Sequence, residues 1–280
     1  MSLLCLNNGY FATKVKTNSQ EFMFESKIRK AIDDYETNTV TLNGIKYVVG
    51  DGMNDLELDK TNSIVQKCCV ALALRKSGFK TCNVISSLPI STYRNKEARK
   101  NYEDMLLSFP EIVNVKLYME GMSGVLDNLN YYAKKLTTVI DIGGLTINVM
   151  LVDDGKLVQD SPFSLNLGSI IINNRIKKSL EQSNLCVVHE KQIKYMKETI
   201  QYQTVIKEYM NEIQQELKKH NYPTNIQIRF IGGGALQFKE DLFQAFPNCY
   251  INEDAQWSNV RGLYKFGEVI FNEKNNLYNR

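Results

Sequence analysis

Two related α/β lobes are what the sequence predicts, and three observations predict them. Strand-like and helix-like segments alternate through both halves of the chain. Two turns, LCLNNGYFATKV near the start and VIDIGGLTINVM near the middle, share one pattern. Each runs from an apolar stretch (Leu3–Leu6, Val139–Ile142) to an Asn or Asp, then Gly, then Thr, then more apolar residues. Their anchors, Asn7 and Asp141, lie 134 positions apart, close to half of the 280-residue chain. A strand, a Gly-rich bend and a returning strand, repeated once per lobe, can pinch a polyphosphate through inward-pointing backbone amides.

In order, the first lobe reads as strands Leu3–Leu6, Ala12–Val15 and Glu21–Phe24, then Thr39–Leu42 and Tyr47–Val49. Asn43-Gly44 between Leu42 and Ile45 signals a tight hairpin. A helix over Ser63–Ser77 puts Ile64, Val65, Cys68, Ala71 and Leu72 on one face. A strand Asn83–Ser86, the turn Leu88-Pro89, a polar helix Asn95–Phe109, a strand Val113–Met119 and a helix Ser123–Tyr132 follow.

The second lobe opens with a hairpin Val139–Val152 closed by Asp153-Asp154-Gly155, and Asn166-Leu167-Gly168 leads into a helix Ser169–Ser183. Glu190–Lys219 is a long helical stretch of one or two helices. Its stripe of Ile193, Met196, Ile200, Ile206, Met210 and Ile213 is expected to pack on its own lobe, with a subunit-contact surface as the rival. A strand Ile226–Ile231 runs into Gly232-Gly233-Gly234-Ala235. Helix Gln237–Ala245, strand Cys249–Ile251 and helix Val260–Phe271 complete the order.

Composition narrows the class. A chain with 43% hydrophobic and 23% charged residues is that of a soluble globular protein. A net charge of +3 is too weak to argue for direct nucleic-acid binding, and Lys96, Arg99 and Lys100 are expected to be a solvated helix face. No apolar run is long enough to span a membrane, and MSLLCLNN lacks a signal-peptide start, so a cytoplasmic location is expected. The cysteines at 5, 68, 69, 82, 186 and 249 form no CxxC pair and are expected to be reduced thiols. His189 and His220 are expected at solvated helix ends.

The residues that carry chemistry lie in three turns. In Asn7-Asn8-Gly9-Tyr10-Phe11-Ala12-Thr13-Lys14, Gly9 permits a phosphate-cradling backbone, and Thr13 and Lys14 add a hydroxyl and a positive charge. In Asp141-Ile142-Gly143-Gly144-Leu145-Thr146, two glycines allow close backbone approach and Asp141 can hold Mg²⁺ through its water shell. Gly232–Gly234 lies on a strand-to-helix turn, where helix N-terminal amides and a surface without side chains suit a base or ribose. The spacing is not that of a dinucleotide fingerprint.

The order of these motifs resembles the actin-type ATPase superfamily. Asn7–Lys14 is similar to its first phosphate motif, Asp141–Thr146 to the second and Phe230–Ala235 to the adenosine motif. Glu120-Gly121 is similar to the connecting segment, and Trp257-Ser258-Asn259-Val260-Arg261-Gly262 to the segment after the adenosine motif. Tyr47-Val48-Val49-Gly50-Asp51 and Leu88-Pro89-Ile90-Ser91-Thr92-Tyr93 resemble the bacterial plasmid-segregation actins of the ParM and AlfA type.

The resemblance implies an actin-like ATPase fold: two duplicated ribonuclease H-like lobes around a nucleotide cleft, residues 1–136 and 137–258, with residues 259–280 packing back on the first lobe. It implies ATP (or GTP) with Mg²⁺, gripped by Gly9, Thr13 and Lys14 from one lobe and by Gly143, Gly144 and Thr146 from the other. Asp141 would lie near Mg²⁺, Glu120 would position or activate the attacking water, and Gly232, Gly233 and Gly234 would face the adenosine. It further implies a head-to-tail homopolymer that moves plasmid DNA through a DNA-binding adaptor, with no membrane partner.

Two departures matter. Asn7 stands where the motif opens with Asp, which predicts altered Mg²⁺ placement and slow hydrolysis. The interval between the second phosphate motif and the adenosine motif holds no convincing strands, which predicts a reduced or missing fourth subdomain. The rivals are a sugar or small-acid kinase of the same fold and a nucleotide-binding scaffold without turnover.

Overall fold

The computed structural model describes residues 2–54, 63–184, 187–223 and 225–277. The chain divides into two compact units, residues 1–131 with 257–280 and residues 132–256.

The first unit begins with β1 (Ser2–Asn8), β2 (Ala12–Lys16) and β3 (Glu21–Glu25), an antiparallel meander. β4 (Lys27–Lys30), β5 (Thr39–Leu42), β6 (Ile45–Val49) and β7 (Met53–Asn54) form a small antiparallel sheet in the order β5-β6-β4-β7. Asn43 and Gly44, with φ of 51° and 75°, make the tight turn between β5 and β6 that the Asn-Gly pair predicts. α1 (Ile64–Ser77) follows, capped by the Ser63 hydroxyl, which accepts from the Gln66 amide, and closed by left-handed Gly78. Then come β8 (Cys82–Leu88), α2 (Ile90–Arg94), α3 (Lys96–Leu107), β9 (Ile112–Met119), α4 (Met122–Asp127) and α5 (Leu129–Tyr132). The main sheet runs β3-β2-β1-β8-β9, with β8 and β9 parallel to β1.

The second unit repeats that order. β10 (Leu136–Ile142), β11 (Ile147–Asp153), β12 (Lys156–Leu157) and β13 (Phe163–Leu165) are followed by α6 (Ser169–Asn184), α7 (Glu190–Ile193) and α8 (Ile200–Lys219). β14 (Gln227–Ile231), α9 (Gly233–Gln237), α10 (Lys239–Ala245) and β15 (Cys249–Ile251) close the unit. Its sheet runs β12-β11-β10-β14-β15, with β13 also paired to β11. α11 (Ser258–Leu277) then returns to the first unit.

The repetition extends to register. Asn7 pairs with Lys14 across the first hairpin and Asp141 with Asn148 across the second. Leu6 lies beside Ser86 on the parallel strand, and Ile140 lies beside Phe230.

Burial explains why β1 reads as a continuous apolar run. Leu4 and Leu6 join the cluster of α1, α3 and β8, whereas Leu3 and Cys5 face Val260 and Leu263 of α11. A central strand covered on both faces does not alternate. In the second unit one cluster joins sheet residues Ile140, Ile147 and Phe230 to helix residues Ile172, Ile176, Tyr209 and Ile213. Among the described residues, only helices occupy the interval between β13 and β14.

The structure corrects several expectations. Ser123–Tyr132 is two short helices, parted at Asn128, where φ is −145°. Gln237–Ala245 is likewise divided at buried Phe238. Asp153-Asp154-Gly155 leads β11 into β12 rather than closing β10 on β11, whereas Glu190–Lys219 is two helices, one of the two arrangements expected. Ile193, Ile206, Met210 and Ile213 pack in the core, but Ile200 is exposed, since the buried face of α8 passes through Tyr202, Ile206 and Tyr209. His189 precedes α7 and His220 ends α8, stacked 3.9 Å from Phe163. Lys96 and Lys100 are exposed and Arg99 half-buried. Cys5, Cys68, Cys69, Cys82 and Cys249 are free thiols, and burial pushes Cys69 up to about 11; Cys186 lies outside the described residues. No described helix is long and apolar enough to cross a membrane.

Candidate functional site

In each unit the parallel strands end together, and the residues singled out from the sequence gather at those carboxyl ends. This is where open α/β sheets take ligands. In the first unit β1 ends at Asn7-Asn8, β8 at Ser87-Leu88 and β9 just before Glu120. The Glu120 amide donates to the Leu88 carbonyl at 2.8 Å, which pins its backbone to the end of β8. Asn7 Nδ2 lies 2.9 Å from Ser87 Oγ and 3.4 Å from Glu120 Oε1. Asn7 is 6% exposed and Glu120 8%, so the pair is sheltered from bulk water.

The first turn is held by hydroxyls. Thr13 Oγ1 donates to Asn8 Oδ1 at 2.8 Å and lies 3.0 Å from Ser26 Oγ, which donates to the Gly9 carbonyl at 2.6 Å. Asn8 Nδ2 reaches the Gln66 carbonyl in the first turn of α1. Thr13 is fully buried. Its hydroxyl, expected to face phosphate, sits between Asn8 and Ser26 and braces the turn. Gly9 leaves room for the Ala12 carbonyl, which a Cβ would meet at 2.8 Å. Lys14, opposite Asn7 in register, is half-buried.

In the second unit the Asp141–Thr146 turn and the glycine turn are neighbours, because Asp141 lies beside Ile231 on β14. Gly232 has φ 89°, and a Cβ on it would come within 2.5 Å of both Asp141 Oδ1 and the Ile142 carbonyl. Only glycine fits there. Gly234 packs against the Ile142 side chain, while the space over Gly233 is open. The Gly143 amide donates to the Thr146 carbonyl, and the Gly143 and Gly144 carbonyls accept from the amides of Ser169 and Ile170 at the start of α6. Asp141 is 3% exposed and Thr146 is also buried. Asp141, Gly143, Gly144, Thr146 and Gly232–Gly234 thus belong to one end of one sheet.

Sequence reasoning missed the residues that brace these turns. Asn259 Oδ1 accepts from the Gly121 amide (3.0 Å), Ser123 Oγ (2.7 Å) and the Gly124 amide (3.1 Å), fixing the segment that follows Glu120. Gly262, one turn further along α11, leaves no room for a Cβ against the Ser123 carbonyl. The WSNVRG segment was singled out, but its partners lie more than 130 positions earlier and local patterning carries no sign of them. Among the described residues no group of three or more His, Cys, Asp or Glu forms a metal cage.

Residues 6–122 match the family model described as actin like proteins N terminal domain. No curated protein matches the sequence. Among solved structures, the archaeal actin homolog Ta0583 superposes with a TM-score of 0.80 at 17% identity, covering 96% of this chain and 100% of that one. Its complex with ADP gives 0.79 at 19%, with the same coverage. A 15-stranded ParM filament from Clostridium botulinum gives 0.77 at 17%, covering 96% and 99%. The Alp12 filament gives 0.66 at 22%, also covering 96% and 99%. The chain therefore has the actin-like fold throughout, and its residues 6–122 match an actin-like N-terminal domain.

Proposed function

We propose that this chain is a nucleotide-dependent, filament-forming bacterial actin that binds and hydrolyses ATP, or GTP, and segregates plasmid DNA through a DNA-binding adaptor in the cytoplasm. The observation that carries the reading is the duplicated hairpin: each unit has a glycine-containing bend where its parallel strands end, with Asn7 and Asp141 in equivalent register. The ADP complex of the archaeal homolog supports a nucleotide as ligand, and the ParM and Alp12 filaments support self-association.

The residues suit a triphosphate with Mg²⁺. Mg²⁺ keeps several waters and takes one or two carboxylates plus phosphate oxygens, so a single buried Asp141 suits it. When bound, the ion neutralises phosphate charge. Asp141 would orient a metal-held water, and Gly9, Lys14, Gly143, Gly144 and Thr146 would hold phosphate oxygens. Gly232–Gly234 would face the nucleoside, with the Cβ-free surface over Gly233 as its floor. Glu120 would accept a hydrogen bond from the attacking water, fixing its line of approach. Positioning and charge stabilisation of this kind are the usual means of phosphoryl transfer.

The test is sedimentation and light scattering at micromolar protein with Mg-ATP, Mg-GTP and a non-hydrolysable analogue, with phosphate release followed in parallel. Assembly with nucleotide and phosphate release without an added acceptor are expected. A protein that stays dispersed under every nucleotide overturns the filament reading, and phosphate transfer only to an added small molecule points to a kinase.

A further inference from the structure

Asn7 departs from the motif's opening aspartate, and the structure gives the departure a purpose. The Asn7 atom facing Glu120 Oε1 is the amide nitrogen, which donates to it. Its two hydrogens have two acceptors in reach, Ser87 Oγ at 2.9 Å and Glu120 Oε1 at 3.4 Å. All three side chains are buried, and each sits at the end of a different parallel strand. An aspartate at 7 would set one carboxylate against another in the same shelter, and close like charges cannot both stay ionised there.

We infer that Asn7 is the positioning residue for Glu120, its amide holding the carboxylate that aims the attacking water. The inference rests on the hydrolytic reading above. It reverses the simple expectation, under which Asn7 is a weakened aspartate and restoring the acid would speed the reaction.

The experiment compares native protein with N7D, E120Q and the double variant N7D/E120Q. The double variant exchanges donor and acceptor across the same contact. For N7D, kcat for phosphate release is expected to fall about 10-fold, less than the roughly 100-fold or more lost with a whole acid–base group, with KM for nucleotide within about twofold. Without nucleotide, N7D is expected to melt about 5 °C below native, and N7D/E120Q to return to the E120Q value while releasing no phosphate. Phosphate release by N7D at or above the native rate overturns the inference, as does equal melting of N7D and native protein. Should N7D fail to fold, a cooperative melt of the double variant upholds the pairing and its absence overturns it. Should the native protein release no phosphate, the hydrolytic reading falls, and the melting comparison alone decides the pairing.

Discussion

Asp141 and Gly232 are in such close contact that a methyl group on Gly232 would come within 2.5 Å of the carboxylate oxygen. The parallel pairing of β10 with β14 sets this distance, and the left-handed φ of Gly232 turns its backbone toward the Asp141 turn. G232A is expected to destabilise the protein by about 2 kcal/mol, through strain at positive φ and displacement of Asp141. It is also expected to weaken nucleotide binding at least about 10-fold. Urea unfolding and fluorescent-nucleotide titration check the two effects separately.

Thr13 offers a sharper contrast between bracing and binding. T13V keeps the shape and removes the hydroxyl that joins Asn8 to Ser26. A loss of about 1–3 kcal/mol in urea is expected, because the buried Asn8 Oδ1 loses the donor it accepts from. T13S is expected to recover most of that loss. Nucleotide affinity of the folded T13V fraction is expected to stay within a few-fold of native, which a direct phosphate contact would not allow.

Asn259 holds three donors with one oxygen, so N259A is expected to lower stability by about 2 kcal/mol, at the upper end of cap removals. N259D keeps the acceptor and is expected to lose less than half as much. Because Gly121 follows Glu120 directly, phosphate release is expected to fall in N259A even at temperatures where the protein stays folded.

Arg261 grips both oxygens of Glu21, at 2.8 Å and 3.0 Å. The Arg261 guanidinium, chiefly by hydrogen bonding, holds the Glu21 carboxyl below its usual range, with Lys16 adding to it. A depressed folded value means that the pair stabilises above the unfolded value of about 4.3 and that this stabilisation fades as pH falls through the depressed one. The R261M deficit is therefore expected to be about 1 kcal/mol or less at pH 7 and to shrink below pH 4. Melting temperatures of native and variant protein across pH 3–7 check it.

Much of this was legible because the hairpins announce themselves: Asn43-Gly44, Gly143-Gly144 and the apolar runs beside them need no distant partner to be read. β4 was not legible. Its sequence Lys-Ile-Arg-Lys has one apolar residue and lies mostly half-buried, so it shows no alternation. The breaks at Asn128 and Phe238 were equally hidden, since neither follows a Gly or Pro, and at Phe238 the side chain's burial decides it. At the site, the residue types and their order were readable in Asn7, Asp141 and the glycines. The division of labour between them was not: Thr13 reads as a ligand until Ser26 and Asn8 are seen to surround its hydroxyl.

The return of α11 to the first unit sets the order in which the molecule is finished on the ribosome. The second unit is one unbroken stretch and has all its strands once residue 256 has left the tunnel, whereas the face of β1 carrying Leu3 and Cys5 waits for Val260 and Leu263. Until then Glu120 lacks the brace that Asn259 supplies to the turn after it. A nascent chain that has released residue 256 therefore holds a complete second unit, while the first still lacks the cover that Val260 and Leu263 give β1.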